Sequence, residues 1–325
     1  AIGLNGDEVK CHNFPLPRLR HYLHDRAVDI HEGRGFFVLR GMRPQDFSAA
    51  DNLVIFLGIA SYIAQRFGKQ DPEGNMLSHI IDTKKSSVPR EQRRGIHSNT
   101  QIDFHNEIVS DILGLQIRQT SKHGGELLLS PAWSMYNDLA LHRPDVLRLL
   151  SEPVWPAQIP LASPSVLRSL LFSSGGKIIL NMDRGPMDST SGDPKLGTKP
   201  LSTAQLEALN AVDTFTRKHY IEIRPQAGDL VFVNNFSIMH SRRAFIDEGQ
   251  HNRHVLRLWL RNDDLGWPIP KALKSSWSIV FDQNEKHDTL RFPVEPKPSY
   301  KRPRIREGAG SGSAHLVPDE SEDDE

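Results

Sequence analysis

Hydrophobic residues in the first 70 positions follow a helical spacing, then an extended run, then a helical spacing again. Over residues 16–30 the apolar side chains recur three or four positions apart, which predicts an amphipathic helix. The segment GFFVLRG at residues 35–41 is a short apolar run between glycines and predicts a buried strand. Residues 46–67 return to the helical spacing, and Gly68 is the expected end of that second helix.

From residue 76 the pattern changes to short apolar runs separated by turn-forming residues. Strands are predicted at Met76–Ile81, Asp103–Glu107, Ile112–Arg118, Glu126–Leu129, Lys177–Asn181, Tyr220–Arg224, Leu230–Asn234 and Val255–Leu260. Helices are predicted between them at Ala132–Leu141, Pro144–Leu150 and Thr203–Lys218. Many short strands with interspersed helices favour a β-barrel or a double-sheet jelly roll with helices packed outside.

Composition narrows the classes of function. The 325 residues carry 40 Lys and Arg against 40 Asp and Glu, so no overall charge draws the chain to nucleic acid or to an anionic membrane. Cys11 is the single cysteine, which excludes a disulfide framework and a cysteine-rich metal site. No apolar stretch reaches the ~18–20 residues of a membrane-spanning helix. We therefore expect a cytoplasmic protein without nucleic-acid or membrane partners; its oligomeric state is not predicted.

Two segments differ in composition from the rest of the chain. We predict one domain over residues 1–298, with a helical N-terminal part, and a disordered tail over 299–325 that is first basic and then acidic. Residues 183–198 are rich in Pro, Gly, Ser and Asp and predict a long loop. Such a loop is either a lid over a binding site or a solvated insertion, and the sequence favours neither.

Two histidines and one acid form the most informative pattern. On a strand, His105 and Glu107 would face the same side, because side chains alternate with a period of two. An imidazole and a carboxylate in that relation can bind one metal ion. His240 follows the buried strand predicted at Leu230–Asn234 and is a candidate third ligand. Two histidines and one carboxylate are the ligand set of non-haem Fe(II) oxygenases.

A third pattern lies near the end of the predicted strands. The segment RHVLRLWL places Arg253, Val255, Arg257 and Trp259 on one face of a strand, with leucines on the other. Inward-facing guanidinium groups need a compensating charge. The carboxylate of a bound ligand can form two parallel hydrogen bonds with a guanidinium group. The alternative partner is an Asp or Glu side chain of the protein itself.

The order of these motifs resembles that of the taurine dioxygenase and clavaminate synthase-like family. The segments that carry the resemblance lie between residues 35 and 262, and they are His105-Asn106-Glu107, Gly124-Gly125-Glu126, SPAWSMYND from residue 130, Arg143-Pro144-Asp145, Gly228-Asp229, Asn235, His240-X-Arg242, Arg253-X-X-X-Arg257 and the helix at 200–209. The resemblance implies an Fe(II)- and 2-oxoglutarate-dependent dioxygenase. It also implies a mainly β fold, a double-stranded β-helix (jelly-roll) core with flanking helices.

The resemblance assigns roles to five residues. It implies that His105, Glu107 and His240 hold Fe(2+), and that Arg253 binds the distal carboxylate of 2-oxoglutarate with Arg257 supporting it. With O2 as the third reactant, the expected reaction oxidises an unactivated C–H bond of a small molecule. Hydroxylation is the usual outcome in the family, and desaturation or cyclisation follows from the same chemistry.

Three further residues, His97, Asn99 and Asn235, are predicted as candidates for substrate contact. Two departures from the family pattern bear on substrate and cosubstrate. Glu107 stands where many members carry Asp, which resembles the amino-acid hydroxylase side of the family and points to an amino acid or a specialised metabolite. Leu127 stands where members often carry a threonine that helps to hold 2-oxoglutarate.

Two other classes of function remain open at this point. A catalytically silent jelly-roll binding protein is consistent with Leu127, although the retained histidines, Glu107 and Arg253 argue against it. A zinc-dependent hydrolase is consistent with two histidines and a glutamate, but leaves the pair of inward arginines without a role.

Overall fold

The structure is a computed structural model that describes residues 5–71, 73–83, 95–157, 166–185, 187, 199–282 and 290–296. Within these residues, none of the helices is long and apolar enough to cross a membrane. Most of the loop predicted at residues 183–198 and the whole tail predicted at 299–325 lie outside them. The boundary of a single domain at residue 298 therefore stays a prediction.

The described residues contain six α-helices and sixteen strands. The helices are α1 (Arg20–Glu32), α2 (Ala49–Ile63), α3 (Ala132–His142), α4 (Pro144–Ser151), α5 (Thr203–Lys218) and α6 (Lys274–Phe281). The strands are β1 (Phe36–Leu39), β2 (Arg66–Phe67), β3 (Leu77–Ile81), β4 (Ile102–His105), β5 (Ile112–Gln119), β6 (His123–Gly124), β7 (Leu127–Pro131), β8 (Trp155–Ala157), β9 (Val166–Arg168), β10 (Leu171–Ser174), β11 (Lys177–Leu180), β12 (Ile221–Ile223), β13 (Leu230–Asn234), β14 (Ile238–Arg242), β15 (Phe245–Ile246) and β16 (His254–Arg261).

Two antiparallel sheets form the centre of the fold. The larger sheet has the order β1-β13-β5-β16-β2, with β3 also paired to β16, and the smaller sheet has the order β12-β7-β14-β4. Neighbours in each sheet are far apart in sequence, as β13 beside β5 illustrates, so the chain crosses repeatedly between the sheets. The prediction of a mainly β double-sheet core with helices outside is confirmed.

The hydrophobic residues divide into layers around these sheets. One buried cluster lies between the two sheets and includes Leu115, Val233, Ile238 and Val255. A second lies where α1 and α2 cover the outer face of the larger sheet, and it contains Leu256, Leu258 and Leu260. A third packs α3, α4 and α5 against the smaller sheet.

Strand β16 thus has the two faces that its sequence predicts. Its leucines pack under the helices, and its odd-numbered residues point toward the smaller sheet. This alternation brings Arg257 and Trp259 to the side that carries the metal-ligand candidates.

The helix predicted at residues 46–67 is wrong at its C-terminal end. Its start is well defined, because the Ser48 hydroxyl accepts a hydrogen bond from the Asp51 backbone N–H. The helix ends at Ile63, and Arg66 and Phe67 instead form β2, paired with the end of β16. Pairing at a sheet edge overrides the local helical pattern here, so Gly68 follows a strand and caps no helix.

Candidate metal centre

Glu107 lies just after a strand, in a loop that two asparagines hold in place. β4 ends at His105, so the prediction of a strand through Glu107 is wrong. The Glu107 backbone N–H donates to Asn235 Oδ1 at 2.8 Å, and Asn235 Nδ2 donates back to the Glu107 carbonyl at 2.7 Å. Asn106 Nδ2 donates to the carbonyls of Asn235 and Ile238. These bonds, and not strand alternation, direct the Glu107 side chain.

His240 lies within β14, directly opposite His105 on β4, and not beyond the end of a strand as predicted. The two imidazole rings have centroids 4.1 Å apart. Glu107 Oε1 is 4.0 Å from His105 Nε2 and 3.6 Å from His240 Nε2. The structure therefore brings the three predicted ligands together, with one ligand atom of each within 4.8 Å of the others.

This arrangement fits a divalent metal ion. His105 Nδ1 lies 2.8 Å from the Asp103 carbonyl, which can only accept, so Nδ1 carries the proton and Nε2 keeps its lone pair for a metal. Adjacent ligands at ~2.1 Å from an octahedral ion are about 3 Å apart. The observed 3.6 and 4.0 Å are slightly wider, and a bound ion would draw the groups together. All three side chains are buried.

The other oxygen of Glu107 is held by groups from β16. Trp259 Nε1 donates to Oε2 at 3.1 Å, and Arg257 Nη1 is 2.9 and 3.1 Å from Oε1 and Oε2. Burial by itself raises the pKa of Glu107, but the Arg257 guanidinium and the two imidazoles outweigh it and lower the pKa to about 2. Burial lowers the pKa of His105 to about 3. The carboxylate is therefore ionised and His105 neutral near pH 7, the forms that bind metal.

Arg257 is in turn oriented by Gln70. Its Nε donates to Gln70 Oε1 at 3.0 Å, while Gln70 Nε2 donates to the Arg257 carbonyl at 2.7 Å. Sequence reasoning predicted that Arg257 supports the cosubstrate arginine; the structure places it on the carboxylate of Glu107. Neither Gln70 nor Trp259 was singled out, although the alternation of β16 placed Trp259 on the correct face.

Arg253 precedes β16 and has a buried guanidinium with an open end. Among the described residues, its Nη1 has no hydrogen-bond partner. Burial lowers its pKa to about 10, a shift that the Asp247 charge opposes. The Phe245 ring lies 5.3 Å from the guanidinium carbon. An anion is the partner that this end lacks, and the distal carboxylate of 2-oxoglutarate fits it.

Gly125 allows the backbone to pass close to Arg253. Its φ is +80°, and a Cβ there would lie 3.2 Å from Arg253 Cδ and Nε. Leu127, two residues on, is half-buried and packs with the cluster between the sheets. It therefore offers an apolar contact at the position where members of the family often carry a threonine.

The three predicted substrate residues differ in their surroundings. Asn99 Nδ2 donates to the Phe245 carbonyl at 3.0 Å, and His97 ends a short helical turn over Gly95–His97. Arg242 ties this segment down through the carbonyls of Gly95, Ser98 and Thr100. Both candidates thus lie in the segment braced by Arg242 and Phe245, the same groups that flank Arg253.

Asn235 is fully buried, and its amide is engaged with the backbone of Glu107 and Ser110. It positions the metal-ligand loop, and these contacts do not support the prediction that it touches substrate.

Comparison with known proteins identifies the type of enzyme. The model of the taurine catabolism dioxygenase TauD, TfdA family matches residues 4–259. The chain belongs to this family. This confirms the predicted family and the predicted jelly-roll fold. It also confirms the prediction of a non-haem iron oxygenase that uses Fe(II), 2-oxoglutarate and O2. Membership argues against both a silent binding protein and a zinc hydrolase.

One curated relative and two solved structures show how far the likeness extends. The taurine hydroxylase-like protein SAT17 of Stachybotrys chartarum is 33% identical over 305 residues, which are 91% of this chain and 79% of SAT17. Asparagine oxygenase in complex with Fe(II), a hydroxyasparagine and succinate has a TM-score of 0.58 at 18% identity, covering 79% of this chain and 86% of its own. The non-haem iron oxygenase OrfP with Fe and α-ketoglutaric acid has a TM-score of 0.57 at 18% identity, covering 80% and 87%.

Proposed function

We propose that His105, Glu107 and His240 hold the Fe(II) of this dioxygenase, and that Arg253 binds the distal carboxylate of 2-oxoglutarate. When bound, Fe(II) together with 2-oxoglutarate and O2 supplies the oxidising power needed to attack an unactivated C–H bond. The observation that carries the proposal is the convergence of His105 Nε2, His240 Nε2 and Glu107 Oε1 in a buried site.

The protein's own residues prepare this site before any ligand arrives. Trp259 donates to Glu107 Oε2 and Arg257 donates to both carboxylate oxygens, which fixes the carboxylate with Oε1 toward the two histidines. Asn235 fixes the backbone of Glu107, and the Asp103 carbonyl fixes the ring of His105. Groups fixed in this way need little reorganisation when the metal binds.

Arg253 supplies the cosubstrate end of the site. The sequence places Arg253 four residues before Arg257, on the same face of an extended chain, about 13 Å apart along it. The Arg257 end reaches Glu107, and the Arg253 end has the open Nη1. A linear dicarboxylate that lies along this face has one end at the metal ligands and the other at Arg253.

We infer that the substrate is a small molecule of amino-acid type. Two lines support this inference: the glutamate at position 107, and structural neighbours whose complexes contain hydroxyasparagine or L-Arg. His97 and Asn99 stay candidates for substrate contact, because the segment that carries them is braced beside Arg253. Hydroxylation is the expected reaction, with desaturation or cyclisation as the alternative outcomes.

The test is succinate release from 2-oxoglutarate under O2, with Fe(II) and ascorbate, across pooled amino acids and small carboxylates. We expect iron-dependent succinate from wild type, stimulated by one pool, and none from His105→Ala. Zinc in place of iron should give none. If no pool supports turnover, and the iron-loaded protein does not bind 2-oxoglutarate, the assignment of the residues is wrong.

A further inference from the structure

Arg168, outside the site described above, is a buried cation that has no carboxylate partner among the described residues. It ends β9, opposite Trp155 on β8, and is 5% exposed. Its Nη2 donates to the Asn181 carbonyl at 3.2 Å, and its Nη1 is buried without a hydrogen-bond partner among the described residues. Burial lowers the pKa of Arg168 to about 10, and no carboxylate of the described residues opposes the shift.

The other buried arginines of the described residues are compensated in ways that Arg168 is not. Arg257 is paired with Glu107, and Arg242 donates to three backbone carbonyls. Arg253 shares the open Nη1, but Asp247 lies close enough to stabilise its charge. A guanidinium that is kept buried without a partner costs stability, which a ligand anion would offset.

Arg168 is linked to the metal-ligand loop through a single residue. Asn181, whose carbonyl binds Arg168, donates its side-chain N–H to the carbonyls of Ile108 at 3.1 Å and Glu107 at 3.4 Å. The next residue, Met182, pairs with Asn106 through both of its backbone groups. Arg168 thus approaches the Glu107 loop from the β9 side, whereas Arg253 lies just before β16 of the larger sheet.

In the proposed function, the metal site binds one end of 2-oxoglutarate and Arg253 binds the other. Arg168 is therefore available to bind a second anion. We propose that Arg168 binds an oxyanion of the substrate, a carboxylate, phosphonate or sulfonate group, and so restricts the enzyme to anionic substrates. This inference rests on the proposed function for its reaction, but the binding site itself rests on Arg168 alone.

Thermal unfolding of the metal-free protein tests whether Arg168 is kept for binding. Arg168→Met replaces an uncompensated charge with an apolar chain of similar length, so its Tm should equal or exceed that of wild type. Arg261→Met is the matched control, because it removes the partner of the buried Asp111 and should lower Tm. A purely structural Arg168 would instead give a lower Tm for Arg168→Met, with recovery in Arg168→Lys.

Ligand-induced shifts test the anion directly. In the presence of Mn(II) and 2-oxoglutarate, propionate, methylphosphonate and methanesulfonate are each compared with the neutral propionamide. At least one oxyanion should raise the Tm of wild type by about 2 °C or more, the shift expected near tenfold excess over Kd. This rise in Tm should be lost in Arg168→Met. The anion that gives the largest rise in wild type identifies which oxyanion group Arg168 prefers.

The two proposals fail in different ways in these experiments. If Mn(II) and 2-oxoglutarate stabilise neither protein while an oxyanion still stabilises wild type through Arg168, the proposed function fails and the anion site stands. If Mn(II) and 2-oxoglutarate stabilise both proteins equally, and no oxyanion exceeds propionamide in wild type, the anion site is overturned. The anion site is also overturned if Arg168→Met does not fold while Arg168→Lys folds normally, and no oxyanion stabilises wild type.

Discussion

Two closely packed histidine pairs lie on the strands of this jelly roll, and the hydrogen-bond partners of their rings differ. His79 on β3 and His254 on β16 bond directly to each other, Nδ1 to Nε2, at 2.8 Å, and His79 Nε2 bonds to the Pro293 carbonyl at 2.9 Å. The rings of His105 and His240 are also close together, but their Nε2 atoms face Glu107 Oε1 at 4.0 and 3.6 Å, too far for hydrogen bonds.

The hydrogen-bond partners of the rings, and not the residue type, therefore distinguish a structural histidine pair from a candidate metal-binding pair. In the first pair both ring nitrogens of His79 and the Nε2 of His254 have partners, and the bond to Pro293 fastens residues 290–296 to the sheet. In the second pair the Nε2 atoms of both rings face a shared carboxylate, Glu107. The following predictions test this contrast, in order of decreasing effect.

Removing the shared carboxylate should have the largest effect. Glu107→Gln keeps the shape of the side chain but removes the charge that both histidines face, so turnover should fall by about 10³-fold or more. The matched change in the structural pair, His254→Gln, should keep most of the activity. Succinate release is measured for Glu107→Gln and His254→Gln at identical iron and 2-oxoglutarate concentrations. Equal losses of turnover would contradict the distinction between the two histidine pairs.

The same Glu107→Gln change should also destabilise the metal-free protein. It leaves the buried guanidinium of Arg257 without its anion, which typically costs about 3–5 kcal/mol. Chemical denaturation of wild type and variant, each freed of metal, measures this cost. A change below about 1 kcal/mol would mean that the Arg257 contact contributes little to the free protein.

Arg253→Gln should weaken the binding of 2-oxoglutarate without disturbing the candidate metal ligands. Truncating one side of a buried charge pair costs about 2–5 kcal/mol, so KM for 2-oxoglutarate should rise by at least about 30-fold. Iron affinity should stay within about twofold of wild type. Arg243→Gln, just after the end of β14 and paired with Glu222, is the control and should change neither quantity. A loss of iron binding in Arg253→Gln would contradict the assignment.

Trp259→Phe should lower iron affinity by about 10- to 100-fold, since the indole N–H is a donor to the ligand carboxylate. Trp267→Phe is the matched control, because the Trp267 indole N–H donates to the backbone carbonyl of His31. Competition with a coloured Fe(II) chelator measures both. If the two variants lose affinity equally, the contact to Glu107 Oε2 has no specific role.

The His79–His254 pair should make the stability of the protein depend on pH. Burial and the neighbouring His79 lower the pKa of His254 to about 3, so the folded protein keeps it neutral while the unfolded chain takes up a proton below about pH 6.5. Stability should therefore fall as pH drops from 6.5 toward 3, by up to about 1.4 kcal/mol per pH unit for this group. His254→Gln should flatten that slope, and an unchanged slope would refute this cause.

Sequence patterns predicted the elements whose signal is local. The spacing of apolar residues located α5, which Ser202 begins with a capping box, and β13, which has the predicted bounds. The alternation in β16 placed Arg257 and Trp259 correctly. The order of motifs brought His105, Glu107 and His240 together, although they span 135 residues of the chain.

Interactions between distant residues left no such signal. Gln70 and Arg257 are 187 positions apart, and nothing in the sequence around either one indicates their hydrogen bond. The short β2 was read as helix because only its pairing with β16 makes it a strand. The sequence around Arg168 has no distinctive pattern; what distinguishes Arg168 is a buried Nη1 with no hydrogen-bond partner among the described residues.

The most direct test of the contrast is an anaerobic titration with Fe(II) followed by 2-oxoglutarate. It compares wild type, His240→Gln and His254→Gln, and follows iron stoichiometry together with the visible charge-transfer band of chelated 2-oxoglutarate. We predict one iron and a clear band for wild type and His254→Gln, with neither for His240→Gln. Retention of iron and band by His240→Gln, or their loss in His254→Gln, would contradict the account.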